Sequence, residues 1–128
     1  MDIRGLVQAT LDTAFSGSVY VFWQRKAEIE GSDIDEYIVY TLGGDYNRTF
    51  SDDEPLLKEA DVTVRYYYRY EKLDTATGRT LVKNREDAIL TALKGAGFLC
   101  PNGAFDGGDI DDVGCFTSII ECNYGRVV

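Results

Sequence analysis

The stretch Asp61–Glu71, with the sequence DVTVRYYYRYE, decides the fold of this chain of 128 residues. Positions 62, 64, 66, 68 and 70 carry only valine and tyrosine, whereas the positions between them are mostly polar or charged. A repeat of two residues is typical of a β-strand, because successive side chains point to opposite faces of a sheet. One face of this strand is therefore predicted to cover the core, and the other is predicted to be polar and accessible to a partner.

Further strand patterns lie on both sides of this stretch. Val19–Gln24 and Tyr37–Leu42 are short and rich in β-branched and aromatic residues, and they flank one charged loop, which predicts an antiparallel hairpin. The polar segment 43–55 is predicted to be a long functional loop, and Leu56–Ala60 is predicted to add a turn of helix. Cys115–Tyr124 alternates in the manner of a last strand.

Two segments have the pattern of helices. Near the N-terminus, apolar residues three and four positions apart form one stripe, namely Ile3, Leu6, Val7, Leu11 and Phe15. A second helix is predicted from about Thr80 to Ala96, and the segment 99–113 is predicted to be a loop or a hairpin. The order α-β-β-β-α-β predicts an α+β fold in a single domain, 1–128. Its one mostly antiparallel sheet is expected to carry both helices on one face.

Composition and charge narrow the classes of function. The chain has 13 basic and 22 acidic residues, and its net charge of −9 disfavours nucleic acid as a direct partner. It contains no histidine, so a Ser-His-Asp or Cys-His arrangement cannot be built, and it has no phosphate-binding glycine loop. No apolar run predicts a membrane span or a secretion signal. The three cysteines are not spaced as in a zinc site and are predicted to be reduced thiols. We therefore predict a protein that is not an enzyme.

Three features suggest a calcium site, a pair of catalytic carboxyl groups and a nucleic-acid platform, but the sequence pattern favours a simpler interpretation of each. The acidic segment Asp106–Asp112, DGGDIDD, departs from the EF-hand spacing of calcium ligands, and a solvated acidic turn is the main interpretation. Adjacent acids such as Asp52 and Asp53 usually face solvent, whereas a glycosidase holds two carboxyl groups across a cleft. The tyrosines at 66–68 and their flanking arginines have the composition of a stacking platform for single-stranded nucleic acid. The net charge instead favours a role in the core and in a strand-face contact.

Taken together, these segments resemble the tail terminator (tail completion) proteins of long-tailed bacteriophages. The resemblance rests on a leading helix, the strand VYVFWQ at 19–24, the strand EYIVY at 36–40, the alternating strand at 61–71 and the helix segment AILTAL at 88–93. Members of this family often show a PYIVY-like strand, and Glu36 stands here where proline is usual. The resemblance covers most of the chain and is one of pattern.

The resemblance implies a structural protein of the virion tail or neck, assembled in the cytoplasm of the bacterial host. Such proteins form a hexameric ring on the last ring of the tail tube, end tube polymerisation and present the surface that docks to the head. The implied partners are other copies of the chain, the tail tube protein and the head–tail connector protein. No nucleic acid, membrane, cofactor or catalytic residue is implied.

A ring needs an interface between unlike patches whose rotation closes, and two segments are predicted to supply it. The polar face of the strand at 61–71 offers Arg65, Tyr67 and Arg69. The loop 43–55 is predicted to order on assembly and offers Arg48 and Phe50 as anchors, since arginine and aromatic residues dominate interface hot spots. Three acids of the loop are predicted to tune charge matching, namely Asp52, Asp53 and Glu54.

Two alternatives stay open beside this interpretation. The chain fits another ring protein of the phage neck, such as a head-closure or connector component. It also fits a small cytoplasmic module that binds a protein partner through its sheet face.

Overall fold

The structure, a computed structural model, describes residues 3–23, 36–47, 50–51, 54–55, 57–110 and 115–127. Its α-helices are α1 (Ile3–Phe15) and α2 (Ala76–Gly95), and a 3₁₀ turn at Tyr70–Asp74 precedes α2. The strands in chain order are β1 (Tyr20–Trp23), β2 (Glu36–Asn47), β3 (Phe50–Ser51), β4 (Glu54–Pro55), β5 (Leu57–Arg69), β6 (Ala104–Ile110) and β7 (Cys115–Val127).

Five of these strands form one sheet in the order β1-β2-β5-β7-β6, and β3 and β4 form a separate short ladder. Neighbours in the five-stranded sheet are antiparallel except for β1 and β2. The predicted α+β class and element order are confirmed, because α1, β1, β2, β5, α2 and β7 correspond to the six predicted elements. Strand β6 and the β3–β4 ladder come in addition.

The predicted antiparallel hairpin of the first two strands is wrong. Strands β1 and β2 are parallel, with Tyr20 opposite Tyr37 and Trp23 opposite Tyr40. Positions 24–35 separate them, and a connection of about a dozen residues is long enough to return the chain to the end where β1 begins. The residue pattern indicates two strands, but it does not indicate the direction in which the chain re-enters the sheet.

The predicted long loop is also wrong where the structure describes it. Strand β2 continues to Asn47 with β5 opposite it, and positions 50–51 and 54–55 pair as the β3–β4 ladder. The pair Gly43-Gly44, with which the predicted loop begins, lies at a β-bulge in the β2–β5 ladder. A bulge takes up an extra residue without ending the pairing, so the strand passes through these glycines.

The second helix begins earlier than predicted. It starts at Ala76 because Thr75 caps it, with Thr75 Oγ1 accepting a hydrogen bond from the Gly78 amide at 3.0 Å. A threonine in this position satisfies one of the amides that a helix leaves unpaired at its start. The residues just before the predicted start at Thr80 are therefore the first turn of α2.

One more predicted element changes type, and the segment that was left open as loop or hairpin contains a strand. The backbone of Leu57–Ala60 is extended and belongs to β5, not to a turn of helix. Within the segment predicted as loop or hairpin, Ala104–Ile110 is β6, an edge strand paired to β7 with a bulge at Gly107. A Cβ atom at Gly107 would lie 2.5 Å from a methyl carbon of Thr117, so only glycine lets the two strands approach so closely here.

Both helices cover the same face of the sheet, as predicted. Helix α1 buries its stripe of Ile3, Val7, Leu11 and Phe15, and α2 buries Val82, Ile89 and Leu93. The sheet side of this core comes from alternate positions of three central strands, namely Ile38, Tyr40, Val62, Val64, Tyr66, Tyr68, Ile120 and Cys122. Burial of each aliphatic side chain contributes about 1.5–3 kcal/mol to the stability of the fold. The strand residues between the buried ones point to the opposite face of the sheet.

Candidate protein interface

The sheet face turned away from the helices, called the open face below, is the candidate functional site. Because side chains alternate along β5, Arg65, Tyr67 and Arg69 lie on the open face while Tyr66 and Tyr68 enter the core. Both described helices pack on the other side of the sheet. The open face therefore collects the three strand residues that the sequence analysis assigned to an interface.

An aromatic row crosses the open face from β5 to the sheet edge at β1. Tyr67 and Tyr37 stack across β5 and β2, with ring centroids 4.8 Å apart and an interplanar angle of 15°. Phe22 of β1 meets Tyr37 edge to face at 6.3 Å and 63°, and Tyr20 stacks on Phe22 at 6.1 Å and 8°. Aromatic pairs of this kind contribute about 0.5–1.5 kcal/mol each beyond the area that they bury. The row is thus a preformed and ordered apolar strip.

Exposure of the aromatic row increases toward the edge strand. Tyr37 is only 8% exposed and Val39 beside it 7%, whereas Tyr20 on β1 is 48% exposed. Burial raises the pKa of Tyr37, with the neighbouring Cys115 and Tyr67 adding to the effect, so its hydroxyl stays protonated at neutral pH. The buried end anchors the row, and the edge end presents aromatic surface to a partner.

The open face is less polar than predicted, and its centre is buried and not accessible, because Val39, Cys115 and Thr117 are only 7%, 3% and 3% exposed. Arg65 lies between Val39 of β2 and Ile119 of β7, and Tyr67 lies between Tyr37 and Thr117. The neighbouring strands therefore contribute apolar side chains to a face that β5 alone made look polar. Arginines among aromatic and aliphatic side chains have the composition of an interface centre, and their role as interface residues stays a prediction.

The other predicted interface residues belong to the segment near β3 and β4. Arg48, Asp52 and Asp53 lie outside the described residues. Phe50 lies in β3 opposite the last residue of β4, and Glu54 begins β4. The structure describes the strand pairing of these two residues. The role of Phe50 as an interface anchor and that of Glu54 in charge matching stay predictions.

Sequence reasoning missed the part of the open face that β1 and β2 supply. Tyr20, Phe22, Tyr37 and Val39 were recognised as strand residues, but they were not assigned to a face. The signal that identifies them is their register: Tyr37 pairs directly with Tyr67, so the two side chains share a face. That register depends on long-range pairing, which the strand pattern alone does not specify.

A buried polar cluster fixes the start of β2 next to the aromatic row. Glu36 Oε1 accepts a hydrogen bond from Arg85 Nε at 2.8 Å, and Glu36 Oε2 accepts one from the Tyr66 hydroxyl at 2.8 Å. Lys72 Nζ lies 3.9 Å from the same carboxylate. Burial and then the nearby Glu36 charge raise the pKa of Tyr66 far above its ordinary value, so Tyr66 remains a donor. Glu36 thus ties β2 to α2, at the position where the resembled family usually has proline.

A cavity of about 430 Å³ lies on the helical side, between α2 and the strands β5, β6 and β7. Its lining is mixed and includes Tyr68, Val82, Glu86, Asp106 and Phe116. Glu86 already accepts a hydrogen bond of 2.5 Å from the Ser118 hydroxyl. Two cationic side chains of the lining also have partners: Arg79 donates to the Leu73 carbonyl at 2.8 Å, and Lys83 donates to Asp87 at 3.1 Å.

Neither a cluster of metal ligands nor a membrane-spanning helix is found in the described parts of the chain. In those residues, no group of three or more cysteine, aspartate or glutamate side chains is placed to hold a metal ion. The calcium alternative also involves Asp111 and Asp112, which lie outside the described residues. Of the helices described, none is long and apolar enough to cross a membrane.

Comparison with known proteins adds no assignment to this geometry. A scan of protein-family models finds none that matches the chain, and a search of curated proteins finds no match.

Proposed function

We propose that the chain is a structural assembly protein that caps the tube of a bacteriophage tail as a ring, ends tail polymerisation and forms the surface that docks to the head. The observation that carries the proposal is the open face, where an ordered aromatic row and two arginines share a sheet surface opposite the helices. The resemblance of the sequence pattern to tail terminator proteins supplies the particular assembly.

The open face has the composition of a protein–protein contact. Tyrosine and arginine are the residues most enriched at interface hot spots, and aromatic rings that are already stacked lose little conformational freedom on binding. Arg65 and Arg69 add positive charge to this face of a chain whose net charge is −9. The partner surface for these arginines is therefore an acidic one.

The two edges of the sheet differ, which suits a ring. At one edge β1 exposes Tyr20, 48% exposed, and Trp23, 44% exposed. At the other edge, β6 contains the first five residues of the acidic segment 106–112, and Asp106 is exposed. A closed ring needs unlike patches that meet head to tail. In the proposed ring, the aromatic and basic side of one copy meets the acidic β6 edge of the next copy.

The experiment measures the mass of the purified protein by light scattering and images it by negative-stain microscopy, with and without purified tail tubes. Rings of six copies of this 14.3 kDa chain, or tubes closed at one end, are the expected result. A protein that stays monomeric and leaves tubes uncapped overturns the proposal. Rings that bind a head connector but not tubes replace it with the neck-ring alternative.

A charge reversal on the open face tests its role. Arg65→Glu is expected to abolish ring formation and tube capping, because it repels the acidic partner surface and adds a charge beside Val39 and Ile119. Lys94→Glu makes the same charge change at an exposed position near the end of α2 and serves as the control. Thermal unfolding of both variants checks that each is folded. Normal capping by a folded Arg65→Glu protein removes the open face from the proposal.

A further inference from the structure

Two of the three cysteines face each other across a short antiparallel bridge. Leu99 and Asn123 exchange both backbone hydrogen bonds, with N···O distances of 2.9 and 3.0 Å. The next pair along this bridge is Cys100 and Cys122, which places them opposite each other at a position without backbone hydrogen bonds. Residues in such a pair have Cα atoms ~4.5 Å apart, within the range of about 4.4–6.8 Å that a disulfide spans.

From this geometry we infer that Cys100 and Cys122 form an intramolecular disulfide when the protein meets a low-molecular-weight disulfide oxidant such as oxidised glutathione. The two thiols are close enough for each to affect the pKa of the other, and both are free cysteines in the structure. The disulfide would join the connection after α2 to β7. This inference does not depend on the proposed function.

The third cysteine is placed differently and serves as an internal control. Cys115 and Cys122 are seven residues apart on β7, so alternation puts them on opposite faces of the sheet. Cys122 belongs to the helix-side core, and Cys115 pairs with Arg69 on β5. A disulfide between Cys115 and Cys122 is therefore excluded by the strand geometry.

The reaction proceeds by two exchanges. Cys100 is half-buried and lies beside the exposed Pro101, so its thiolate is the one that attacks a sulfur of oxidised glutathione. That attack breaks the glutathione S–S bond, forms a mixed disulfide on Cys100 and releases one glutathione thiolate. The thiolate of Cys122 then attacks the Cys100 sulfur and releases the second glutathione. Two protein thiols are oxidised, one glutathione disulfide is reduced, and the two thiol protons pass to the released thiolates.

Burial makes the second exchange slow near neutral pH. Cys122 is 5% exposed, and its thiol donates a hydrogen bond to the Val62 carbonyl at 3.4 Å. Burial, followed by the effect of Cys100, raises the pKa of Cys122 to about 12. Because only the thiolate is a nucleophile, the rate of ring closure is expected to rise with pH, by about tenfold per unit below that pKa.

The experiment treats the folded protein with oxidised glutathione and analyses it by mass spectrometry. The expected product has lost two hydrogens and carries no glutathione. Chymotrypsin cleaves after Phe105 and Phe116 and so separates the three cysteines into different peptides. The peptides of Cys100 and Cys122 are expected to stay linked until a reductant is added, and the oxidised protein is expected to melt about 10 °C higher.

Three variants make the result decisive. Cys115→Ser is expected to form the disulfide as the wild-type protein does. Cys122→Ser is expected to stop at the mixed disulfide on Cys100, and Cys100→Ser is expected to yield no linked product. The inference is overturned if the glutathione adduct of the wild-type protein persists at alkaline pH, where the Cys122 thiolate forms, without closing the disulfide, or if the linked peptides contain Cys115.

Discussion

The polar cluster at the start of β2 yields the most quantitative prediction. Arg85→Met removes the guanidinium that donates to Glu36 Oε1 at 2.8 Å, while it keeps an unbranched side chain of similar length. Methionine and arginine have nearly equal helix propensity, so the backbone of α2 contributes little to the change. The main change is in the environment of the Glu36 carboxylate, whose side chain is only 10% exposed. The substitution also removes the contact of the guanidinium with the Phe15 ring, 5.6 Å from its centroid.

The magnitude follows from how deeply the pair is buried. Breaking a fully buried ion pair by removing one partner costs about 3–5 kcal/mol, because a charge is left in the interior. Here the Arg85 side chain is 25% exposed, and Glu36 keeps the hydrogen bond from Tyr66. Solvent screening and the remaining donor reduce the cost, and we expect the free energy of unfolding to fall by about 2 kcal/mol.

A matched ion pair on the same helix serves as the control. Lys83 and Asp87 are 3.1 Å apart, with side chains that are 69% and 55% exposed. Lys83→Met is therefore expected to lower the free energy of unfolding far less than Arg85→Met does, because solvent screens an exposed pair at positions i and i+4. Adding Glu36→Gln to Arg85→Met should recover part of the lost stability, because an amide leaves no buried charge.

Urea unfolding followed by far-UV circular dichroism measures these differences at pH 7. The comparison requires equal slopes of free energy against urea concentration, so that the midpoints report stability alone. If Arg85→Met destabilises the protein no more than Lys83→Met, the cluster at Glu36 does not hold β2 to α2. A double variant that is less stable than Arg85→Met alone would refute the buried-charge explanation.

Two further predictions concern the helix start and alkaline pH. Gly78→Ala is expected to destabilise the protein by about 2 kcal/mol or more, because the new Cβ would lie 1.9 Å from the Lys72 carbonyl oxygen. In contrast, a Cβ atom at Gly95 in the same helix would meet nothing within 4 Å. Gly95→Ala should therefore stabilise the protein by about 0.5–1 kcal/mol in urea unfolding. Burial raises the pKa of Cys122 from 9.0 to about 12. Since its thiol ionises first in the unfolded chain, the stability that it contributes is complete below pH 9 and is lost as the pH rises to about 12. In Cys122→Ala, the unfolding free energy should therefore fall less steeply with pH over this range, by about 1.4 kcal/mol per pH unit at most. A slope equal to that of the wild-type protein contradicts the raised pKa of Cys122.

Most of the fold was predictable from local pattern. The alternation at 61–71 identified the central strand and both of its faces as far as Arg69, because burial on one side imposes a period of two. The last two predicted positions, 70 and 71, lie in the 3₁₀ turn that follows. The apolar stripe from Ile3 to Phe15 identified α1 in the same way. These features depend only on neighbours in sequence, and their signal is therefore complete in a single stretch of residues.

The features of the fold that were not predicted depend on contacts between segments that are distant in sequence. The parallel direction of β1 and the strand character of Gly43-Gly44 follow from pairing with partners far along the chain. The capping threonine at 75 was hidden among residues typical of turns, since the same side chains favour both turns and helix starts. The ion pair between Glu36 and Arg85 spans two elements whose packing no local pattern encodes.

The candidate site could be predicted only in part for the same reason, because its residues come from segments that are distant in sequence. Arg65, Tyr67 and Arg69 were assigned to an accessible face from β5 alone. The aromatic residues that border them come from β1 and β2, and they became neighbours only once the register was known. A strand pattern identifies which residues of one strand share a face, whereas the composition of the whole surface is a property of the assembled sheet.

The central position of β5 in the sheet has a consequence for the protein while it is being synthesised on the ribosome. It pairs with β7 along its whole length, from Leu57 opposite Val127 to Arg69 opposite Cys115. During translation, β5 therefore emerges well before the strand that completes one of its two hydrogen-bonded edges. At ~5–20 residues per second, this edge stays open for seconds while α2 and β6 are synthesised. An open edge is a template for pairing with other chains, so the nascent protein is most vulnerable to aggregation in the interval before its last strand arrives.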